Sequence, residues 1–138
     1  MNTEDFVTYE QALALKKLGF DLKTEYYSSK LTGINFSNVP ENFNNTFVNG
    51  VCSVPTLAQA QKWLRKEKKY SVEAFFERIK DSKEQWSYFI SNILNSSQDG
   101  QSIGYFYSYE EALSAGITEC LKLLENETSK TPEKNSNP

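Results

Sequence analysis

Histidine is absent from this chain, cysteine occurs twice and methionine once. Without histidine there is no Ser-His or Cys-His nucleophile system and no histidine-containing zinc site. Two cysteines far apart in sequence, Cys52 and Cys120, do not make a cysteine-only zinc site. They are expected to be reduced, structural thiols. The glycines (19, 33, 50, 100, 104, 116) are scattered, so neither a phosphate-binding loop nor a dinucleotide fingerprint is present. No acidic calcium loop is visible. These gaps lead to the expectation of a non-enzymatic protein with no catalytic residues, metal or cofactor. No window holds about 18 consecutive apolar residues, so no membrane partner is expected. The opening residues, Met1 to Asp5, are polar and acidic, unlike a secretion signal, which leads to the expectation of a cytoplasmic protein. A net charge of −3 is too small to select a polyionic partner for the whole surface.

Large aromatic side chains are what the chain has in quantity: nine Phe, eight Tyr and two Trp, enough to fill a moderate core and leave some exposed. Helix starts are also well marked. Thr8 with Gln11, Thr56 with Gln59, and Ser108 with Glu111 each have the spacing of a capping box, and each pair is followed by alanine. The shared opening fits repeated use of one good cap, or a weak internal repeat. The first helix is predicted to end at Gly19, with Phe20 folding back on it. The second carries the apolar stripe Leu57, Ala60, Trp63 and Leu64. The third, over 108–124, is lined by Ala112, Leu113, Gly116, Ile117, Cys120, Leu121 and Leu124.

Between the helices, alternation predicts strands at 22–27 and 31–36, joined by a Ser28-Ser29-Lys30 turn. Residues 38–54, rich in Asn and containing Pro40, read as a long loop anchored by Phe43, Phe47 and Val48. Three further strands are predicted at 70–78, 85–94 and 103–107, with turns at 81–83 and 95–100. Residues 126–138 have no apolar side chain except proline and are expected to be disordered. The expected fold is α+β: an antiparallel sheet with helices packed on one face. A helix-hairpin unit with the Asn-rich loop occupies 1–54, an α-β-β-β-α unit 55–125, and the tail 126–138.

Local charge is the clearest chemical signal. Residues 62–83 hold eight Lys or Arg against four Asp or Glu. Lys62, Arg65, Lys66, Lys68 and Lys69 on or beside the second helix could contact phosphates. Glu73 and Glu77 flank Phe75 on one strand face, where solvated pairing with Arg78, Lys80 and Lys83 accounts for them. Tyr27, Phe75 and Phe89 fall on the less covered strand faces and are the candidate protein contacts.

The order of helix, three antiparallel strands and helix over 55–125 resembles the double-stranded-RNA-binding domain. That family starts its closing helix with a Lys cluster that grips phosphates. This chain has Tyr109, Glu110 and Glu111 there, so the resemblance implies a topology without that grip. The stretch from Gly104 to Leu113 is similar to the strand-to-helix junction of HicB-like antitoxin domains. The segments TYEQALALKKLGF, VPTLAQAQKWLRKEKK and YSYEEALSAGITECLKLL together resemble a group of small uncharacterised proteins of Bacteroides-type gut bacteria, their phages and mobile elements. That resemblance implies a phage or mobile-element accessory protein in a bacterial host cell and brings no functional residues with it. The leading expectation is a small binding protein with an unknown protein partner or with itself as partner. The alternative is nucleic-acid binding through the basic helix over 56–69. A small-ligand pocket beside the Asn-rich loop is a third reading.

Overall fold

All three helices begin where their caps place them. Thr8 Oγ1 accepts from the Gln11 amide at 3.2 Å, and Gln11 Oε1 accepts from the Thr8 amide at 2.8 Å. This box opens α1, Tyr9–Lys17. Thr56 and Gln59 repeat it at 3.1 and 2.8 Å to open α2, Leu57–Glu67. Ser108 Oγ accepts from the Glu111 amide at 3.1 Å at the start of α3, Tyr109–Asn135. Here the returning carboxylate accepts from the Tyr107 amide instead, one residue before the cap. Each cap satisfies amides that the first helical turn leaves open.

The computed structural model describes residues 2–30, 32–45, 50–77, 84–102 and 105–135. Among these residues six strands complete the fold: β1 Thr24–Ser29, β2 Gly33–Glu41, β3 Cys52–Val54, β4 Tyr70–Phe76, β5 Trp86–Asn92 and β6 Ser97–Gln101. The class is α+β. The strands form two antiparallel three-stranded sheets, ordered β2-β1-β3 and β4-β5-β6, rather than one. The chain divides into two compact units, Met1–Lys68 and Lys69–Pro138. The division falls after α2, not at 54/55, so α2 groups with the residues before it. The element order α2-β4-β5-β6-α3 is the expected α-β-β-β-α order, with its first helix grouped in the first compact unit.

In the first unit, Gly19 takes a φ of 95°, a left-handed conformation that favours glycine. Phe20 N–H then reaches back to Leu15 O at 3.0 Å, and Gly19 N–H to Lys16 O at 3.1 Å. This paired closure ends α1 and turns Phe20 inward. Its ring meets Trp63 of α2 edge-on, with centroids 5.4 Å apart. Val7, Leu15, Phe20, Val54 and Leu64 are all buried. Part of the expected loop over 38–54 is strand: β2 extends to Glu41, and β3 pairs with β1 through Tyr26–Val54, Tyr27–Ser53 and Ser28–Cys52. Asn44 ties the intervening chain down. Its Nδ2 donates to Phe20 O at 2.9 Å, and its Oδ1 accepts from the Ser53 amide at 2.9 Å. Phe47 and Val48, expected as anchors, lie outside the described residues.

In the second unit, α3 packs across β4 and β5. Strand alternation places Val72, Ile90 and Tyr88 on the covered face, all buried. Gly116 is the point of closest approach. A Cβ there would lie 2.8 Å from Val72 Cγ1 and 3.0 Å from Tyr88 Cγ. The third strand is Ser97–Gln101, overlapping the 95–100 stretch expected to be a turn, and it pairs with β5 as a polar strand. The apolar segment expected to form that strand keeps one described bridge, Phe106 with Trp86. Ile103 and Gly104 lie outside the described residues, as does the expected turn at 81–83. The expectation of disorder from 126 onward is also corrected: α3 runs to Asn135, and Glu127 on its extension accepts a hydrogen bond from Tyr70 Oη on β4. Among the described residues no helix is long and apolar enough to cross a membrane.

Candidate binding site

A concave surface in the first unit is assembled from four separated stretches of the chain. Asn2 caps a short 3-10 helix, Thr3–Asp5, which delivers Phe6 to the sheet. Phe6 bridges Thr56, and the Val7 amide donates to Pro55 O at 3.1 Å. The Phe6 ring then stands edge-on to Tyr26, with centroids 4.7 Å apart. Tyr26 lies in the middle of β1, opposite Phe36 on β2 and Val54 on β3. Opposed residues share a face, so Phe36, Tyr26 and Val54 form one row across the sheet. The Tyr26 and Phe36 rings are 5.2 Å apart.

A cleft of about 330 Å³ opens on this row, lined by Phe6, Lys23, Glu25, Tyr26, Pro40, Val54, Thr56 and Gln59. Its floor is apolar and its rim polar. Lys23 and Glu25 oppose each other in sign, so the rim has no net preference for an anion. Thr56 Oγ1 and Gln59 Oε1 are already engaged in the α2 cap. The lining contains no cysteine or histidine, and Glu25 is its only carboxylate. These groups supply shape, apolar contact and hydrogen bonds, the properties of a binding surface. Among the described residues, no cluster of three or more His, Cys, Asp or Glu could hold a metal ion.

The cleft continues onto an exposed edge. In the order β2-β1-β3, strand β2 is terminal, and its Ile34, Phe36 and Val39 are exposed, Phe36 by 58% and Val39 by 62%. The edge pairs regularly with β1 from Gly33 to Phe36; beyond Phe36 the register shifts, with Thr24 opposite Glu41, and Pro40 offers no N–H, so the rest of the edge is blunted.

The residues singled out in the sequence are distributed over both units. Tyr27 is half-buried, with its ring 4.7 Å from Phe43, and does not line the cleft. Phe75 and Phe89 do come together, diagonally across β4 and β5 at 5.7 Å, on the opposite sheet face to Val72 and Ile90. Both are half-buried. The five cations do not form one face. Lys62 and Lys66 are exposed and Arg65 is half-buried on α2. Lys68 instead holds its ammonium over the Trp63 ring, 5.5 Å from the centroid, an arrangement favoured by the ring's quadrupole. Lys69 lies past the helix end with a φ of 61° and begins the second unit. Of the 38–54 stretch, Pro40 and Val54 reach the cleft and its asparagines do not.

Phe6, Lys23, Glu25 and Pro40 had not been singled out as contacts. The one local signal was Phe6 itself, an aromatic ending a polar lead-in.

The titratable groups with altered behaviour lie elsewhere. Burial raises the Tyr88 hydroxyl above its usual range, helped by its hydrogen bond to Glu119, and Tyr70 is raised likewise beside Glu127. Burial pushes the Cys120 thiol up to about 12, with Glu127 and Glu119 adding to the effect. Cys52 is raised by burial and partly relieved by Lys16. Both thiols are free and buried.

Comparison with family models, with curated proteins and with solved structures finds no match for this chain.

Proposed function

We propose that this is a non-enzymatic interaction protein that binds an extended polypeptide segment along the β2 edge of its first unit. The observation that carries the reading is the row Val54–Tyr26–Phe36, which runs from the floor of the cleft to an exposed edge strand. Strand addition supplies affinity through backbone hydrogen bonds, and a neighbouring pocket supplies side-chain selectivity. The cleft has the size and apolar floor for one aliphatic or aromatic side chain. An accessory role in a phage or mobile element, in the cytoplasm of a bacterial host, is of this kind. Panning a random-peptide display library on the full-length protein, immobilised at low density, tests the reading. Enrichment of β-branched and aromatic sequences, abolished by Phe36→Glu, is the expected result. No enrichment over a scrambled pool would reject it.

Nucleic-acid binding through α2 is the second reading. It is supported by Lys62, Arg65 and Lys66 on its outer side, at the spacing that puts them on one helical face. Their position in the last turns of the helix weakens it, because the helix dipole there repels anions. A gel shift at low salt that disappears as salt is raised, and is lost in Arg65→Glu/Lys66→Glu, is its signature. No shift at low salt ends it.

A further inference from the structure

Independently of the β2 edge, we infer that the second unit carries a binding site of its own, at one end of its sheet, for arginine side chains of a basic polypeptide. The site is built on an aromatic row. Phe76 on β4 opposes Trp86 on β5. On the other side of Trp86, Phe106 is bridged to it by two backbone hydrogen bonds of 2.8 Å. Opposed residues share a face, so the row continues the face that carries Val72, Tyr88 and Ile90. Those three are buried against α3, but the helix begins only at Tyr109 and leaves the row partly open. The Tyr109 ring meets Trp86 edge-on, with centroids 5.6 Å apart, and the Phe76 ring stands 5.5 Å from Trp86 at 67°. Phe76 is 53% exposed and Tyr109 36%, while Trp86 is half-buried.

Charge selects the occupant of this row. Glu84 Oε1 accepts from Trp86 Nε1 at 2.9 Å, which holds a carboxylate at the edge of the indole. Glu77 follows Phe76, and Glu110 and Glu111 follow Tyr109, where they also offset the positive end of α3. Of the described residues between 70 and 121, none is Lys or Arg. Acidic surroundings repel nucleic acid and draw a cation. An indole face is the best aromatic surface for one. A guanidinium is planar and weakly hydrated, so it can stack on a ring and pair with a carboxylate beside that ring. An ammonium has no plane to stack and is held more tightly by water. Trp86 with Glu84 therefore favours arginine over lysine.

Proton–nitrogen correlation spectra of the full-length protein, titrated with the capped peptide acetyl-Gly-Arg-Gly-Arg-Gly-amide, test the inference. The indole signal of Trp86, identified by its loss in Trp86→Phe, should shift and saturate while that of Trp63 stays in place. The same peptide with lysine should bind about five- to tenfold more weakly, the margin of a stacked cation. With glutamate it should not bind. Glu84→Gln, at an exposed position, should weaken the arginine peptide about two- to fivefold, and Phe76→Ser should weaken it as well. Phe36→Glu, which removes peptide capture by the first unit, should leave it unchanged. Arg78, Lys80 and Lys83 lie outside the described residues, so the titration is repeated with all three replaced by serine. An arginine-selective shift at Trp86 in either form supports the site. No shift in both forms, equal affinity for arginine and lysine, or binding untouched by Glu84→Gln overturns it.

Discussion

Tyr88 on β5 donates a hydrogen bond to Glu119 on α3, fastening the helix to the middle of the sheet it covers. Eight residues along the helix, Glu127 accepts the corresponding hydrogen bond from Tyr70 on the neighbouring strand β4. Both hydroxyls hold their protons more tightly when folded, chiefly because they are buried. A raised folded value contributes stability that is fully present below the unfolded tyrosine range and is lost as pH rises past it. The second unit should therefore keep its urea midpoint up to about pH 9 and lose it steadily above about pH 10. Tyr88→Phe should cost about 1 kcal/mol at neutral pH by leaving Glu119 without this donor. The double variant with Tyr70→Phe should show a shallower alkaline decline. Urea titrations followed across pH would check both effects.

Gly116 makes a substitution that usually helps a helix harmful here. Replacing a helical glycine by alanine ordinarily gains about 1 kcal/mol. At this position the added carbon would meet Val72 and Tyr88 at 2.8 and 3.0 Å. Forcing the helix off the sheet costs about 1–3 kcal/mol, so Gly116→Ala should be destabilising and Gly116→Val more so. Chemical denaturation of the two variants would rank them.

Thr56→Ala removes one arm of the capping box that opens α2 and should cost about 1 kcal/mol. Thr56→Ser keeps the oxygen and should fall within a few tenths of the parent. Thermal melts of the pair separate the cap from the lost methyl group.

Asn44→Ala should weaken the first unit by about 1–3 kcal/mol, because it strands the Phe20 carbonyl and the Ser53 amide together. Asn44→Asp keeps the acceptor for Ser53 and loses the donor to Phe20, so a smaller loss is expected. Hydrogen exchange at Ser53 should rise in the alanine variant and stay protected in the aspartate one.

Neither thiol should react with a thiol-specific reagent in the folded protein at neutral pH, and both should react in denaturant. Burial removes access and raises both thiols, which suppresses the reactive thiolate. Fast labelling of Cys120 in the native state would contradict the packing of α3.

What was legible in the sequence was local. Each helix start was visible because a cap needs two residues three apart, and all three caps are present. Strand β3 was not visible because Cys52, Ser53 and Val54 pair with Tyr26 to Ser28, and no short-range pattern announces so distant a partner. Strand β6 was hidden for the opposite reason. Ser97 to Gln101 carries no apolar side chain to alternate, while the apolar segment just after it imitates a strand and, among its described residues, makes one bridge. The extension of α3 was missed because residues past 125 lack apolar periodicity. Once nucleated, a helix adds turns cheaply, and Tyr70 holds the beginning of this one at Glu127. The binding surface was the least legible part. Its apolar row joins residues 26, 36 and 54, and its nearest wall is residue 6, an adjacency created by sheet register alone.

The two borders of the first sheet are unequal: β2 has nine residues and β3 three. A protein with two long matching borders could add copies without end and grow into a fibre. Here the long border is itself interrupted: Tyr26 opposes Phe36 while Thr24 opposes Glu41, and Pro40 between them has no N–H to offer a neighbour. A border broken in this way seats a short segment and gives a growing fibre no continuous template.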